Sequence, residues 1–471
     1  MREAEYDLVV IGSGPGGYAG AIKAKKLGLS VAVVEKDAVG GAYVGCAIPA
    51  KALLHSAMLY EEIRESSRFG LSVGSVSMNF RETRAYRKRA ETAYREKVCG
   101  WLDSQDIPVY RGRARVGREH LVTVEGPDAA RLYGKKILLA CGARPALLDA
   151  QMMALPGVET SDSLMAADDW DFSRIVIIGG GLVGTEFATV LHAMGLDVTI
   201  LERADYLLPG MDEEIGRYMQ KSMEEKGIRV YTGAGSSRVE RREGSLYCTY
   251  RSLGKEKELC TERVLVAMGR RAQLDELFEP ELASMLDTNN GAPVVGSDFQ
   301  TSIPGIYAVG DMLQRTQRAH TAAAQATYLV ESLAGRQPSL LLSSVPAGMY
   351  LNLPIIPSCV HTSPEAASVG LTEAQARRAG CQIRCGIYSM EDNSQAIITG
   401  RRTGLIKLVF ALPGKILIGA QIICPRATDM IGEMASAIAN SLTARQMMLA
   451  MRAYPTYGEG IARAVENSGL L

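Results

Sequence analysis

Two copies of one glycine-rich turn constrain this chain more than any other feature. The first, Gly12-Ser13-Gly14-Pro15-Gly16-Gly17, follows the apolar run Asp7-Leu8-Val9-Val10-Ile11, which reads as a buried parallel strand. A small-residue helix over Tyr18–Leu27 and a strand over Ser30–Val34 are predicted next, ending in Glu35. Glycines at 12, 14 and 17 allow a tight turn, close approach of a pyrophosphate and close helix–strand packing. The helix N-terminus behind them offers N–H groups and positive partial charge to phosphates. Glu35, 18 residues beyond Gly17, is placed to accept from a ribose 2′-hydroxyl. The second copy leaves a predicted strand Arg174–Ile178 as Gly179-Gly180-Gly181-Leu182-Val183-Gly184. A helix over Thr185–Met194 and a strand over Asp197–Leu201 lead to Glu202, again 18 residues past the last glycine. One such loop is weak evidence; two complete β–turn–α–β–Glu units call for two dinucleotides.

Between and after these units the pattern is mixed. Asn79–Asp103 reads as a charged helix, with Glu82, Glu91 and Glu96 among its arginines and lysines, so a solvated face rather than a basic docking patch is expected. Val109–Val116 and His120–Glu125 alternate like antiparallel strands, and Pro156–Asp171 reads as a linker. Val264–Arg271, through Gly269, is predicted to close the second unit. From about Val345 the composition shifts to an α+β region.

Composition excludes several classes. The net charge of +0 argues for no nucleic-acid or membrane-surface partner. Nine cysteines, without a C-x-x-C, and five scattered histidines make neither a disulfide scaffold nor a metal site; Cys381 and Cys385 stand four apart. No apolar run approaches the roughly 20 residues of a membrane span. The charged N-terminus runs straight into the first strand, leaving no room for a signal peptide, so a cytoplasmic protein is expected.

The stretch Val39-Gly40-Gly41-Ala42-Tyr43-Val44-Gly45-Cys46-Ala47-Ile48-Pro49-Ala50-Lys51 resembles the glutathione reductase and dihydrolipoamide dehydrogenase family, whose pattern here is G-G-T-C-L-N-V-G-C-I-P-S-K. Pro49 suits the first turn of a helix, where its missing N–H is not used. Further segments are similar to the same family. Ala140-Cys141-Gly142-Ala143-Arg144-Pro145 resembles its A-T-G-x-R-P strand end, and Leu208-Pro209-Gly210-Met211-Asp212 its loop after the second nucleotide strand. Thr301–Asp311, through Gly310, matches the second flavin motif and leads into Ala319-His320 and an Ala-rich helix. Pro357–Glu373 is similar to the start of the dimerisation domain.

The resemblance implies an α/β fold of the glutathione reductase type: two Rossmann-like dinucleotide-binding domains and a C-terminal α+β dimerisation domain. The expected segments are 1–150 and 273–344 for FAD, 151–272 for NAD(H), and 345–471 for the homodimer interface. FAD is implied at Gly12, Gly14, Gly17, Glu35, Lys51, Gly142, Gly310 and Asp311, the last accepting from ribityl hydroxyls. NAD(H), as co-substrate, is implied at Gly179, Gly181, Gly184, Glu202 and Gly269. Glu202 favours NAD(H), because a carboxylate repels the 2′-phosphate of NADP(H); Arg203 beside it works the other way.

This chain departs from the family at its chemistry. Aligned on Ile48-Pro49-Ala50-Lys51, alanines 42 and 47 stand where the family has its redox cysteines, and Cys46 lies one residue off. At the far end, Arg452-Ala453-Tyr454-Pro455-Thr456-Tyr457-Gly458-Glu459 matches H-A-H-P-T-x-x-E, with Tyr454 in place of the general-base histidine and Glu459 kept. Tyrosine in a Y-P-T stretch is similar to the soluble transhydrogenases and some quinone reductases of this superfamily. Lys51 matches the lysine near flavin N5 and Glu186 its carboxylate partner. The resemblance implies an FAD oxidoreductase that takes hydride from NADH and delivers electrons from the flavin to a small-molecule, non-disulfide acceptor. Two alternatives stand beside it: a dihydrolipoamide dehydrogenase or single-cysteine disulfide reductase using Cys46, and a quiet flavoprotein subunit of a complex.

Overall fold

A computed structural model describes residues 2–167, 170–252, 254–314, 316–340, 342–344 and 353–471; the expected boundary at 345 lies outside them. The chain forms two compact units, one from 1–53, 79–146 and 269–340, the other from 54–78, 147–268 and 341–471. No helix among the described residues is long and apolar enough to cross a membrane, and none of their His, Cys, Asp and Glu side chains group as metal ligands.

The first unit is built on a sheet with Arg2–Ile11 at its centre, between Val31–Glu35 and Ala130–Leu139, both parallel to it. Val109–Arg111 extends the parallel edge beyond Val31–Glu35, and Ile306–Ala308 pairs parallel with Ala130–Leu139. Leu121–Glu125 and Arg113–Val116 continue the sheet antiparallel. Leu8, Val9, Val10 and Val31–Val34 are buried on both faces, as a central parallel strand demands. The helix Pro15–Lys26 packs on the helix Ala319–Leu333 through small residues; a Cβ added to Gly20 would stand 3.3 Å from that of Ala326. Single strands were expected over 109–116; the chain instead breaks at Gly112 into two.

The second unit contains a wholly parallel sheet in the order Arg229–Tyr231, Asp197–Leu201, Arg174–Ile178, Arg263–Val266, Val158–Thr160. That last strand corrects the expectation of a linker over 156–171: it pairs with Arg263–Val266, and the helix Ser161–Ala166 follows it with a Thr160 capping box. A three-stranded antiparallel sheet, Gly235–Arg242, Ser245–Ser252 and Lys255–Thr261, packs its Val239, Leu246 and Cys248 against Val176 and Val264. The C-terminal part is a five-stranded antiparallel sheet, ordered Ser358–Val360, Glu365–Gly370, Ile416–Cys424, Leu405–Ala411, Ile383–Ser389. Helices Ala427–Ala439 and Glu459–Asn467 bury Ile431, Met434, Ile461 and Val465 against it.

One lysine in that sheet is buried. Lys407 is 2% exposed, and its ammonium meets Glu214 at 2.5 Å, Glu373 at 2.7 Å and Asp212 at 3.3 Å. Asp212 also accepts from the Glu373 N–H (3.2 Å), so one cluster joins the starts of helices Glu213–Lys226 and Glu373–Arg378 to the C-terminal sheet. The Lys407 hydrogen bond holds the Glu373 carboxyl down to about 2.

Candidate dinucleotide sites

The two glycine turns adopt the same geometry for the same reason. Gly12 has φ +97° and Gly179 φ +111°, conformations that L side chains avoid, and a Cβ on either would stand 2.5 Å from a carbonyl oxygen, of Ala140 or Ala267. Gly17 and Gly184 bring helix onto strand so closely that a Cβ would lie 1.8 or 1.9 Å from the oxygen of Gly12 or Gly179. By contrast, nothing lies within 4 Å of a Cβ built on Gly14 or Gly181. The middle glycine of each turn therefore faces open space. Each is also the N-cap of its helix, without a side-chain cap and without an acidic residue in the first turn. Open space, uncapped N–H groups and no competing carboxylate fit a pyrophosphate at both places.

The closing carboxylates are also parallel. Both are buried. Glu35 accepts at Oε2 from the Ser13 N–H (2.8 Å) and hydroxyl (2.6 Å), and at Oε1 from the Asp37 N–H (2.9 Å). Glu202 accepts at Oε2 from the Gly180 N–H (2.6 Å) and at Oε1 from the Ala204 N–H (2.7 Å). The sequence pattern assigned both residues to a ribose; here each also fixes its own glycine turn. The Ser13 hydroxyl, which the spacing argument passed over, further accepts from the Gly40 N–H at 3.0 Å and ties down the start of the 40–51 stretch.

In the first unit Gly142 ends the segment after Ala130–Leu139, and Gly310 donates to Gln325 Oε1 at 2.7 Å. No hydrogen bond from the described residues reaches the Asp311 carboxylate. Burial pushes its carboxyl up from the usual range, against the opposing pull of Arg270 and Arg318. A half-buried acceptor of this kind suits hydroxyl donors such as ribityl groups. Nearby in sequence, the buried Thr321 hydroxyl has no partner among the described residues. The site therefore fits FAD. Gly269, expected in the nicotinamide unit, belongs to the first one: Arg270–Ala272 pairs antiparallel with Ala143–Pro145, and the Arg270 guanidinium donates to the Ala143 carbonyl.

The segment carrying the family's redox cysteines has an unexpected shape. Residues Tyr43–Ala47 form a π turn, in which the Ile48 N–H donates to the Tyr43 carbonyl five residues back, and it runs on into the helix Ile48–Arg64. Pro49 thus lies inside a continuous helical path rather than opening it. Cys46 is half-buried within the turn, Lys51 is half-buried one turn further on, and none of the nine cysteines is disulfide-bonded.

Glu186 lies buried in the second unit on helix Leu182–Ala193, and its Oε1 accepts from the His361 N–H at 3.0 Å. His361 carried no sequence signal. Tyr454 is 63% exposed, on a loop where Leu449 and Met451 are 81% and 99% exposed. Glu459 is buried and holds that loop. Its Oε1 accepts from the Ser394 hydroxyl (2.7 Å) and N–H (3.0 Å), and its Oε2 from the Thr456 N–H (3.4 Å).

Paired dinucleotide cradles, each on the parallel strands of its own sheet, followed by an antiparallel C-terminal domain, define an oxidoreductase that works between two dinucleotide cofactors. The chain belongs to the pyridine nucleotide-disulphide oxidoreductase family, which residues 6–326 match, and residues 356–465 match that family's dimerisation domain. It is 32% identical over 474 residues to a dihydrolipoyl dehydrogenase of Bacillus subtilis, covering 98% of this chain and 97% of that one. With the dihydrolipoyl dehydrogenase of Geobacillus stearothermophilus it shares 33% identity over 470 residues, at 98% and 96% coverage. Solved structures share the fold. LpdA of Mycobacterium tuberculosis superposes with a TM-score of 0.85 at 22% identity, covering 99% of each chain. The Cu(II) complex of an HOCl-induced flavoprotein disulfide reductase of Escherichia coli superposes at 0.83 and 23%, covering 98% of this chain and 99% of the other. The protein is an NAD(P)H-dependent flavoprotein oxidoreductase with FAD as its cofactor.

Proposed function

We propose that this enzyme takes hydride from NADH and passes the electrons from its flavin to a small-molecule acceptor that is not a disulfide, a quinone or a similar two-electron oxidant. The observation that carries the reading is the pair of alanines, 42 and 47, at the positions of the family's redox cysteines. Disulfide exchange needs an attacking thiolate, a second sulfur and a base that titrates near neutrality. Here the spaced sulfurs are missing, and Tyr454 stands in place of the histidine base.

The first unit is assigned to FAD and the second to NAD(H). FAD supplies hydride acceptance and onward electron transfer. The chain supplies position and charge. The uncapped helix ends bind the two pyrophosphates, and Glu35 and Glu202 each hold a glycine turn and face a ribose. Asp311 accepts from the ribityl chain, and Lys51 contributes positive charge near the reacting end of the flavin. Residues 345–471 are assigned to a homodimer interface that presents Tyr454, and the enzyme to the cytoplasm.

A second reading has one observation in its favour. A π turn holds one more residue than an α turn. The turn at 43–47 can therefore absorb the one-residue offset of Cys46 and return it to a cysteine position of the family pattern. On that reading Cys46 is the single redox thiol of a disulfide reductase.

Anaerobic stopped-flow titration with NADH, followed by a panel of acceptors, separates the two. The proposal expects direct bleaching of the flavin, two electrons taken up per subunit, no long-wavelength thiolate–flavin band, and turnover with quinones. Lys51→Ala slows flavin reduction, and Cys46→Ser changes little. Robust dihydrolipoamide oxidation that Cys46→Ser abolishes would overturn it and establish the second reading.

A further inference from the structure

Four aromatic side chains of the first unit form a connected file. The Tyr43 and Tyr94 rings meet edge-on with centroids 5.6 Å apart, Tyr94 meets Trp101 edge-on at 6.2 Å, and Tyr18 leans on Trp101 at 5.9 Å. Tyr94 and Trp101 share a face of the helix Phe80–Asp103, two turns apart. The hydroxyls of Tyr18 and Tyr43 both face that of Tyr94; burial first, and then this neighbour, push both phenols up. They are therefore neutral hydroxyls at physiological pH, able to lose an electron only together with a proton.

The two ends of the file differ. Tyr43 begins the π turn, two residues after Gly41, whose added Cβ would stand 3.2 Å from the Gly14 Cα. The inner end therefore begins two residues along the chain from a close approach to the glycine turn of the first unit. Arg95, one residue past Tyr94, locks the arrangement by donating to the Val39 carbonyl at 2.9 Å. Trp101, at the outer end, is 36% exposed and carries the Lys97 ammonium 5.2 Å from its ring centroid. A purely apolar contact between helix and loop would need no hydroxyls facing one another, and would not place an indole at the surface.

We propose that Tyr43, Tyr94 and Trp101, with Tyr18 beside them, form a one-electron path from the flavin site to the surface, by which the reduced enzyme quenches strong one-electron oxidants such as organic peroxyl radicals. The steps balance as follows. A peroxyl radical takes one electron from Trp101 and one proton from water, leaving a hydroperoxide, hydroxide and an indole radical cation. Tyr94 returns the electron to Trp101 and loses its phenolic proton, which neutralises the hydroxide. The Tyr94 phenoxyl then takes a hydrogen atom from the Tyr43 hydroxyl. With FAD bound and reduced in the first unit, Tyr43 would recover by taking one electron and one proton from it. Two such events consume one NADH: NADH and H⁺ with two peroxyl radicals yield NAD⁺ and two hydroperoxides. This activity rests on the flavin in the first unit and not on which two-electron acceptor the enzyme serves.

The test uses the holoenzyme with a photogenerated ruthenium(III) tris-bipyridine oxidant, read by transient absorption and by electron paramagnetic resonance of freeze-trapped samples. In the oxidised enzyme, a tryptophan radical should give way to a tyrosyl radical. In enzyme reduced beforehand with NADH, the tyrosyl signal should decay at least tenfold faster. Tyr94→Phe keeps the ring and removes the phenol; it should leave NADH–quinone turnover unchanged while the tryptophan radical persists and the NADH-dependent acceleration is lost. Trp101→Phe should slow formation of the tyrosyl radical. Flavin content, read from visible absorbance, shows whether each variant is intact; if Tyr94→Phe loses its flavin, Trp101→Phe decides alone. An NADH-dependent decay that both intact variants retain overturns the path, whatever acceptor the enzyme uses. A wild-type tyrosyl radical that ignores NADH overturns it as well.

Discussion

The two glycine turns share a backbone and differ in one residue between their first two glycines. At Ser13 there is room for a side chain, and its hydroxyl links Glu35 to the Gly40 N–H. At Gly180 there is none: a Cβ would stand 2.4 Å from the Leu207 side chain and 3.0 Å from the Glu202 Cβ. The first turn is thus bolted into a larger network, with Gly41 packed against Gly14, while the second is held from the segment that follows its own strand, by Glu202 and by the Leu208 N–H, which donates to the Gly180 carbonyl at 2.9 Å. A cradle tied to its surroundings suits a cofactor that stays, and a self-contained one suits a cofactor that comes and goes. Preorganisation lowers the cost of ordering a site on binding.

The largest effect that sharpens this contrast lies in the second unit. Lys407→Met leaves three carboxylates facing one another without their cation, at a cost of about 3–5 kcal/mol. Calorimetry should show the second unit melting early while the flavin absorbance of the first persists to higher temperature. Glu373 is held at about 2, below its ordinary value of 4.5. Its contribution is full above that ordinary value and fades as pH falls through about 2. The gap in Tm between wild type and Lys407→Met should therefore be widest near neutrality and narrow in acid, as protonation discharges the stranded carboxylates. A gap that widens in acid would contradict the role given to Lys407.

Next come the helix-packing glycines. Gly17→Ala and Gly184→Ala each press a methyl onto a carbonyl oxygen, an overpacking of about 1–3 kcal/mol, or roughly tenfold to a hundredfold in binding. The first should yield colourless protein. The second should stay yellow and show a raised KM for NADH. Equal loss of colour in both would erase the distinction between the cradles. Glu35→Gln and Glu202→Gln should split along the same line with smaller effect, since an amide keeps the shape and trades charge-assisted hydrogen bonds of about 1.5–3 kcal/mol for neutral ones of about 0.5–1.5 kcal/mol. Equilibrium dialysis of FAD, set beside the KM for NADH, reads both. The smallest change is Ser13→Gly, which gives the first turn the second's residue between its first two glycines. It removes two hydrogen bonds of the hydroxyl, at about 1 kcal/mol per bond, and should speed FAD release by no more than roughly thirtyfold.

What could be read from the sequence was what local chemistry dictates. Gly12, Gly17, Gly179 and Gly184 announce the turns because no side chain fits there, and Glu35 and Glu202 because a strand of fixed length delivers them. Val158–Thr160 escaped notice: three residues have no periodicity, and only pairing with Arg263–Val266 makes them a strand. Lys407 in an apolar strand reads as a solvent-facing residue, since its three carboxylates come from distant segments. The π turn was hidden because one extra residue in a helix leaves composition unchanged. His361 beside Glu186 and the file from Tyr43 to Trp101 are products of tertiary packing, which no spacing rule addresses.

The way the first unit is divided along the chain bears on how it is made. Its central strand is synthesised early, yet Ile306–Ala308 and the helix Ala319–Leu333 that complete it come after the whole stretch 147–268 of the other unit. At about 5–20 residues per second, a ribosome needs roughly 10–40 s to travel from residue 146 to residue 340. During that interval the nascent first unit has an unfinished sheet and no Asp311, while every strand of the second unit's parallel sheet has already been made. A dinucleotide for the first unit is thus captured late in synthesis, and the turn proposed to hold it waits, incomplete, for a stretch translated after the segment that carries it.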